Sequence, residues 1–308
     1  MRWSTKAELF SATNMKKKLR FIINPVSGVK GQKRVAESIN RLIDRAQYDF
    51  EILYTKAPHH ATELSAEAAK NNYYAAIAVG GDGTVHETAG GLIHTNTALG
   101  ILPRGSGNGL ARHLEIPMDL DSAIKLINTS TIRAIDTIRV NEHFFVNMMG
   151  LGFDGHIAGK FAEHGKRGLA TYAEITLKEF LKFDEQEFEM HFPNKESYTA
   201  KAFMLSIANS AQYGNNAFIA PAAKIDDGLF EICEVKKIPF YAAFPFVVRL
   251  FTKTVGASRF VKIQSTHECI IKNPKLISMH LDGEPLKGEA ELHLKLEALS
   301  LLTLQEAK

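Results

Sequence analysis

The stretch Ala75-Ala76-Ile77-Ala78-Val79-Gly80-Gly81-Asp82-Gly83-Thr84 is an apolar block that runs straight into three glycines and an acid, and a helical pattern follows over residues 84–93. A short apolar run bounded by glycine reads as a buried strand leading into a helix. Glycines permit positive φ angles and let the backbone approach a ligand closely. The first turn of a helix offers unpaired amides and a partial positive charge, which suit phosphate. Asp82 would repel a phosphate that it touched directly. It makes sense there with Mg2+ or water between, or as a proton acceptor. The plain alternative is a tight turn with Thr84 as a cap, but such a turn does not need three glycines and an acid together.

Working outward, residues 19–23, 50–54 and 99–102 repeat the apolar-strand pattern, and residues 33–45 and 61–70 are helical. Val35, Ile39, Leu42 and Ile43 share one face of the first helix. Continuous apolar strands between helices predict a parallel sheet covered on both faces, with ligands beyond the carboxyl ends of the strands. That rule singles out three loops, 24–31, 80–84 and 103–109. Asn24-Pro25-Val26-Ser27-Gly28 is followed by the cations Lys30, Lys33 and Arg34. Pro103-Arg104-Gly105-Ser106-Gly107-Asn108-Gly109 carries Ser106 or Asn108 as a helix cap and Arg104 as a phosphate contact, although alone it could be only a helix start. Three such loops on one sheet edge point to a nucleotide triphosphate site.

Beyond about residue 130 the texture changes. Residues 132–140, 144–149, 188–192, 201–209, 228–235, 260–264, 268–272 and 276–281 read as strands, several alternating, with Asn273-Pro274 and Asp282-Gly283 as turns. Residues 171–183 and 241–252 read as helices. A mostly antiparallel β-sandwich is expected here. The expected division is 15–135 for the first domain and 136–295 for the second. A final strand over about 296–308 returns to the first, and 1–14 is a dispensable extension. Gly150-Leu151-Gly152-Phe153-Asp154-Gly155 matches the dinucleotide fingerprint G-x-G-x-x-G, but no parallel second strand follows at the required distance. NAD binding by this loop is not expected.

Composition fits this division. The chain has 308 residues, 45% hydrophobic and 23% charged, which exceeds the size at which one core stops growing. A net charge of 37 − 34 = +3 leaves no nucleic-acid footprint. Two cysteines, Cys233 and Cys269, make neither a disulfide framework nor a metal motif, so a reducing compartment is expected. No run approaches the ~20 apolar residues of a spanning helix, and the N-terminus lacks a secretory core. A cytoplasmic protein is expected.

The ordered set Asn24-Pro25-x-Ser27-Gly28, Gly80-Gly81-Asp82-Gly83-Thr84, Leu102-Pro103-x-Gly105-Ser106-Gly107-Asn108, Gly152-Phe153-Asp154, Asp227-Gly228-Leu229 and Asp282-Gly283-Glu284 resembles the soluble diacylglycerol kinase and sphingosine kinase family, from about residue 18 to residue 304. The resemblance implies an α/β + β fold. A doubly wound, NAD-kinase/phosphofructokinase-like domain binds ATP, a β-sandwich domain takes the lipid, and the nucleotide lies between them. It implies ATP contacts from Asn24, Pro25, Ser27, Gly28, Thr55, Gly80, Gly81, Asp82, Gly83, Thr84, Glu87, Arg104, Gly105, Ser106, Gly107 and Asn108. Glu284 looks like the general base of the bacterial diacylglycerol kinases, whereas Asp82 is the favoured base in the sphingosine kinase branch. Lys224, Asp227 and Leu229 look like a structural Mg2+ loop, with one carboxylate and two backbone carbonyls.

Two departures from the bacterial pattern, His86 and Gly105-Ser106-Gly107-Asn108, are more similar to eukaryotic sphingosine kinases and raise long-chain bases as acceptors. Asp154 aligns with a head-group contact in that branch, and His86 joins it as a candidate substrate contact. The implied reaction is Mg2+-dependent transfer of the γ-phosphate of ATP to a lipid hydroxyl, diacylglycerol- or sphingoid-base-like. An NAD kinase acting on a ribose hydroxyl shares only the glycine–aspartate loop, and a non-catalytic regulator would not need Asp82, Glu87 and Glu284 together. The expected partner is a lipid at a membrane surface, met transiently, with no nucleic acid; a homodimer is left open. Phe240, Tyr241, Phe244, Phe246, Val247, Val248, Leu250 and Phe251 crowd one segment bordered by Lys236, Lys237, Arg249, Lys253 and Arg259. Both a core helix and a membrane contact fit that mixture.

Overall fold

The computed structural model describes residues 16–26, 32–163, 169–193 and 195–307. Its first elements alternate: β1 (Lys17–Ile23), α1 (Gln32–Leu42), β2 (Tyr48–Tyr54), α2 (His60–Lys70), β3 (Ala75–Gly80), α3 (Asp82–Gly90), β4 (Ala98–Pro103), α4 (Gly109–His113) and α5 (Leu120–Thr129). β1 lies between β2 and β3, and β4 adds beyond β3, all parallel. Every residue of β3 and β4 is buried, so both faces are covered. α2 packs with α3, and α1 with α5. This cover is why the strands read as unbroken apolar runs rather than alternating ones.

The second half contributes β5 (Thr131–Val140), β6 (His143–Phe145), β7 (Met148–Gly152), α6 (Phe153–Glu163), α7 (Leu169–Phe180), β8 (Gln186–Phe192), β9 (Lys195–Ala202), β10 (Met204–Ala208), β11 (Gln212–Gly214) and β12 (Ala217–Phe218). It continues through β13 (Phe230–Val235), α8 (Phe240–Phe251), β14 (Val261–Thr266), β15 (Glu268–Lys272), β16 (Met279–Leu281), β17 (Glu284–Leu286) and β18 (Glu291–Gln305). One antiparallel sheet runs β14-β13-β10-β7-β16-β17. The other runs β2-β1-β3-β4-β18-β15-β8-β9, with β5 and β6 branching from β18. Phe145, Phe188, Leu205, Ile232, Ile271 and Leu292 fill the core shared by the strands of both sheets. β18 pairs parallel with β4 at Thr303 and antiparallel with β5 and β15, so the last strand carries the parallel sheet on into the second half.

Several element boundaries differ from expectation, each for a local reason. Residues 144–149 form not one strand but two, β6 and β7, in different sheets. Between them the amides of Val146, Asn147 and Met148 turn to the Asp282 carboxylate, at 3.0, 2.8 and 2.9 Å, instead of a partner strand. Residues 201–209 likewise divide at Phe203, whose N–H bonds Val235 and whose carbonyl accepts from Phe153. The strand expected over 276–281 shrinks to Met279–Leu281, because Asn273 holds both backbone polar groups of Ile277 in a loop. The helix α5 is an addition to the expected elements, and Asp119 caps it through the Ser122 amide at 3.0 Å. β7 lies between β10 and β16, antiparallel to both, so its glycine fingerprint belongs to no βαβ unit.

Candidate active site

β1, β3 and β4 end in register, with Ile23 beside Val79 and Gly80 beside Pro103. The three predicted loops therefore leave the sheet side by side, and hydrogen bonds lace the described parts together. Asn24 donates to the Val79 carbonyl through its N–H and to Thr84 Oγ1 through Nδ2, both at 3.1 Å. Its Oδ1 accepts from Val26 and folds the Asn24-Pro25-Val26 corner. Thr55 N–H bonds Ile23 at the neighbouring strand end, and Arg104 N–H bonds Gly80. Gly81 and Gly105 face each other so closely that a Cβ on Gly105 would stand 2.6 Å from the Gly81 Cα. Ser27, Gly28 and Lys30 lie outside the described residues.

Asp82 has a structural employment that the sequence did not reveal. Its Oδ2 accepts from Asn108 N–H at 2.9 Å and its Oδ1 from Gly109 N–H at 2.7 Å. Both oxygens thus fasten the second loop and the start of α4 to the glycine turn. Burial pushes the Asp82 carboxyl above its ordinary range, against the pull of those two amides. Asn108 sits at the N-cap of α4 but does not cap it with its side chain. Its left-handed backbone, φ 51°, turns the side chain back, and the amide group bonds both backbone polar groups of Gly105 at 2.8 and 2.9 Å. Ser106 is exposed. Glu87, expected on ATP, accepts the Ala61 amide at 3.2 Å and so serves the first turn of α2.

The second half reaches the same place through the β16–β17 hairpin. Asp282, buried, receives the three amides that separate β6 from β7 and also His86 Nδ1 at 2.8 Å. Burial alone would raise its pKa, but His86 and the amides more than offset that and hold it below its ordinary range. His86, on α3, stacks on Phe144 with centroids 4.5 Å apart and rings 3° from parallel. Burial lowers its pKa, yet Asp282, with Glu284 and Glu87 nearby, raises it overall. His86, expected to contact the substrate, also bridges the two halves through Asp282. On the other side, His280 accepts from Gly283 N–H at 3.2 Å and lies 3.2 Å from Asp154. Asp154, the other predicted substrate contact, is buried in that pair.

Glu284 is held differently from these acids. It is exposed, and its carboxylate occupies the space that a Cβ on Gly83 would need. Among the described residues it has no hydrogen-bond partner. Two clamps, His86–Asp282 and Asp154–His280, thus set one unpartnered carboxylate over the first turn of α3.

The predicted metal loop lies beside a buried acid that the sequence did not single out. Asp136, on β5, accepts from Gly228 N–H at 2.9 Å and from Leu299 N–H at 2.7 Å, fixing the loop against the bulge of β18. Asp227 is exposed and accepts only the Leu229 amide among the described residues. The exposed Asp227 carboxylate is a hard-oxygen donor of the kind a hydrated Mg2+ accepts. Among the described residues no three acidic, histidine or cysteine side chains converge on a metal position.

Phosphoryl transfer asks little covalent chemistry of a protein; it needs donors around the phosphates and a carboxylate near the accepting hydroxyl. A bare glutamate over the glycine turn that opens α3 fits the second part of that need, and the sequence matches place the molecule among the ATP-dependent phosphotransferases that act on an alcohol. Residues 18–140 match the diacylglycerol kinase catalytic domain, and residues 147–302 match the YegS C-terminal NAD kinase beta sandwich-like domain. The chain belongs to this diacylglycerol kinase and YegS-like lipid kinase family. It is 30% identical to "Probable lipid kinase YegS-like" of Pseudomonas putida, over 79% of this chain and 83% of that one. It is 28% identical to the diacylglycerol kinase of Staphylococcus saprophyticus, over 72% and 74%. The crystal structure of a diacylglycerol kinase from Bacillus anthracis shares the fold, with a TM-score of 0.72, 20% identity and coverage of 94% of this chain and 97% of that one. ATP is the phosphoryl donor in such a kinase, typically with a divalent metal. Among the described residues no helix is long and apolar enough to cross a membrane.

Proposed function

We propose that the chain transfers the γ-phosphate of ATP to the primary hydroxyl of a membrane lipid, diacylglycerol- or sphingoid-base-like, with Glu284 taking the hydroxyl proton. The carrying observation is the contrast between carboxylates. Asp82 has both oxygens committed to amides, whereas Glu284 stands exposed and unpartnered over Gly83. The glycine-loop amides and Arg104 hold and neutralise the phosphates, and most of the rate comes from that positioning. Mg2+, when bound, supplies charge neutralisation; Asp227 and the carbonyls of Lys224 and Leu229 are the residues that would hold a structural ion. His86 and Asp154 act on the acceptor through the hairpin that they clamp.

Radiolabelled ATP offered separately with diacylglycerol, sphinganine, monoacylglycerol and NAD tests this. Label is expected in a lipid and not in NAD. Label in NAD alone would overturn the lipid acceptor.

A further inference from the structure

The helix α8 presents its apolar side the wrong way round for a water-soluble surface. Phe246 is buried against Val235, Ile238 and Val255, with Ala242 and Leu250 packed on the same side. Phe240, Tyr241, Phe244, Val247, Val248 and Phe251 recur at helical spacing on the opposite side, and all six are exposed, Phe244 by 77%. A lone surface phenylalanine needs no explanation; a contiguous stripe does. Hence the core-helix reading accounts for only one face.

Charge says what covers the other. Between Glu234 and Glu268 the chain contains no acidic residue but six cations, Lys236, Lys237, Arg249, Lys253, Arg259 and Lys262. Lys237 is neutralised by Asp184 and Lys262 by Glu234. Lys236, Arg249, Lys253 and Arg259 have no carboxylate partner among the described residues. Arg249 and Arg259 are instead oriented by neutral groups, the Thr254 carbonyl and the Tyr241 hydroxyl, each at 3.2 Å. A second copy docked face to face would bring like charges together with no acid in the segment to relieve them. Apolar rings bordered by unpaired cations match an anionic lipid surface, with the rings below the headgroups and the cations among them.

The stripe also lies close to the candidate active site. Lys253, just after α8, sits over the Phe218 ring at 4.5 Å in the β11–β12 hairpin. The turn of that hairpin donates from Asn215 N–H to the Gly107 carbonyl, 3.3 Å away in the second phosphate loop. We propose that the outer face of α8, with Lys236, Arg249, Lys253 and Arg259 around it, is the surface by which the protein seats on an anionic bilayer. This deepens the lipid-acceptor reading and rests on it.

The test is co-sedimentation of the full chain with vesicles of phosphatidylcholine alone or mixed with phosphatidylglycerol. Binding is expected to the anionic vesicles. Phe244→Ser with Phe251→Ser should weaken it by about tenfold for each ring removed. Arg249→Gln with Lys253→Gln should weaken it about fivefold per cation and abolish the preference for phosphatidylglycerol. Neither pair should change melting temperature or turnover of dioctanoylglycerol in detergent micelles. Equal vesicle binding by wild type and both variants would overturn the proposal. So would a wild-type dimer that the serine pair makes monomeric while vesicle binding stays unchanged. If the serine pair abolishes vesicle binding although no lipid accepts phosphate from the wild type, the docking surface stands and the acceptor reading fails.

Discussion

Two Asp-Gly turns meet at the candidate active site, Asp82-Gly83 opening α3 and Asp282-Gly283 between β16 and β17. Asp282 is buried and Asp82 half-buried, and both are committed to backbone amides, two for Asp82 and three for Asp282. Their electrostatics part there. A histidine opposes Asp282 and holds its pKa down, whereas Asp82 has amides only and burial pushes its pKa up. The chain beyond each turn differs too: a helix continues after Gly83, but after Gly283 comes Glu284, exposed and unpartnered. The lesson is that an acid inside a glycine-rich motif can be framework, while the acid next to the framework is available for chemistry.

The most damaging way to break the comparison is Asp282→Ala. Three buried amides and His86 would lose their acceptor at once, and breaking a buried charged pair typically costs about 3–5 kcal/mol. Chemical denaturation should show a loss of that order, with the hairpin and Glu284 displaced together.

Gly83→Ala is smaller and more local. Its Cβ meets the Glu284 carboxylate, so kcat should fall about 100-fold, as a displacement of a reacting group by about 1 Å can produce. The melting temperature should change little. An unchanged kcat would mean that Glu284 need not stand over the first turn of α3.

His86→Gln should have the smallest effect, and it depends on pH. His86 has its pKa raised in the folded protein, so its contribution is complete below the ordinary value of 6.5 and is lost as pH rises through the folded value. Asp282 has its pKa lowered, so its contribution is complete above 3.8 and is lost as pH falls through the folded value. The pair is strongest between those limits. There the glutamine variant should be less stable by about 1 kcal/mol, and the gap should close toward alkaline pH. A gap independent of pH would contradict the ion pair.

The parallel half was legible because buried strands and amphipathic helices write their periods directly into the chain. The three loops were legible because glycine, proline and asparagine cluster where those strands end. Less legible were the places where the chain changes sheets. Nothing in Phe144-Phe145-Val146-Asn147-Met148 signals that an aspartate more than 130 residues away takes three of its amides. The same holds for Asp82, whose partners Asn108 and Gly109 belong to another loop, and for Asp136, which grips Gly228 and Leu299. Glu284 was legible as a candidate only because its motif stood out, and its lack of partners is a tertiary fact. The stripe on α8 was visible in sequence, but burial had to show that its outer side is bare.

The central claim is the division of labour between Glu284 and Asp82. Single-turnover phosphoryl transfer should be measured beside equilibrium binding of a non-hydrolysable ATP analogue, in Glu284→Gln and in Asp82→Asn. For Glu284→Gln, transfer should slow by about 10²–10⁴-fold, as loss of a general base does, with analogue affinity and stability intact. For Asp82→Asn, analogue affinity and stability should fall because the second phosphate loop loosens. Near-normal transfer in Glu284→Gln, together with lost transfer at full affinity and stability in Asp82→Asn, would contradict the assignment and make Asp82 the base.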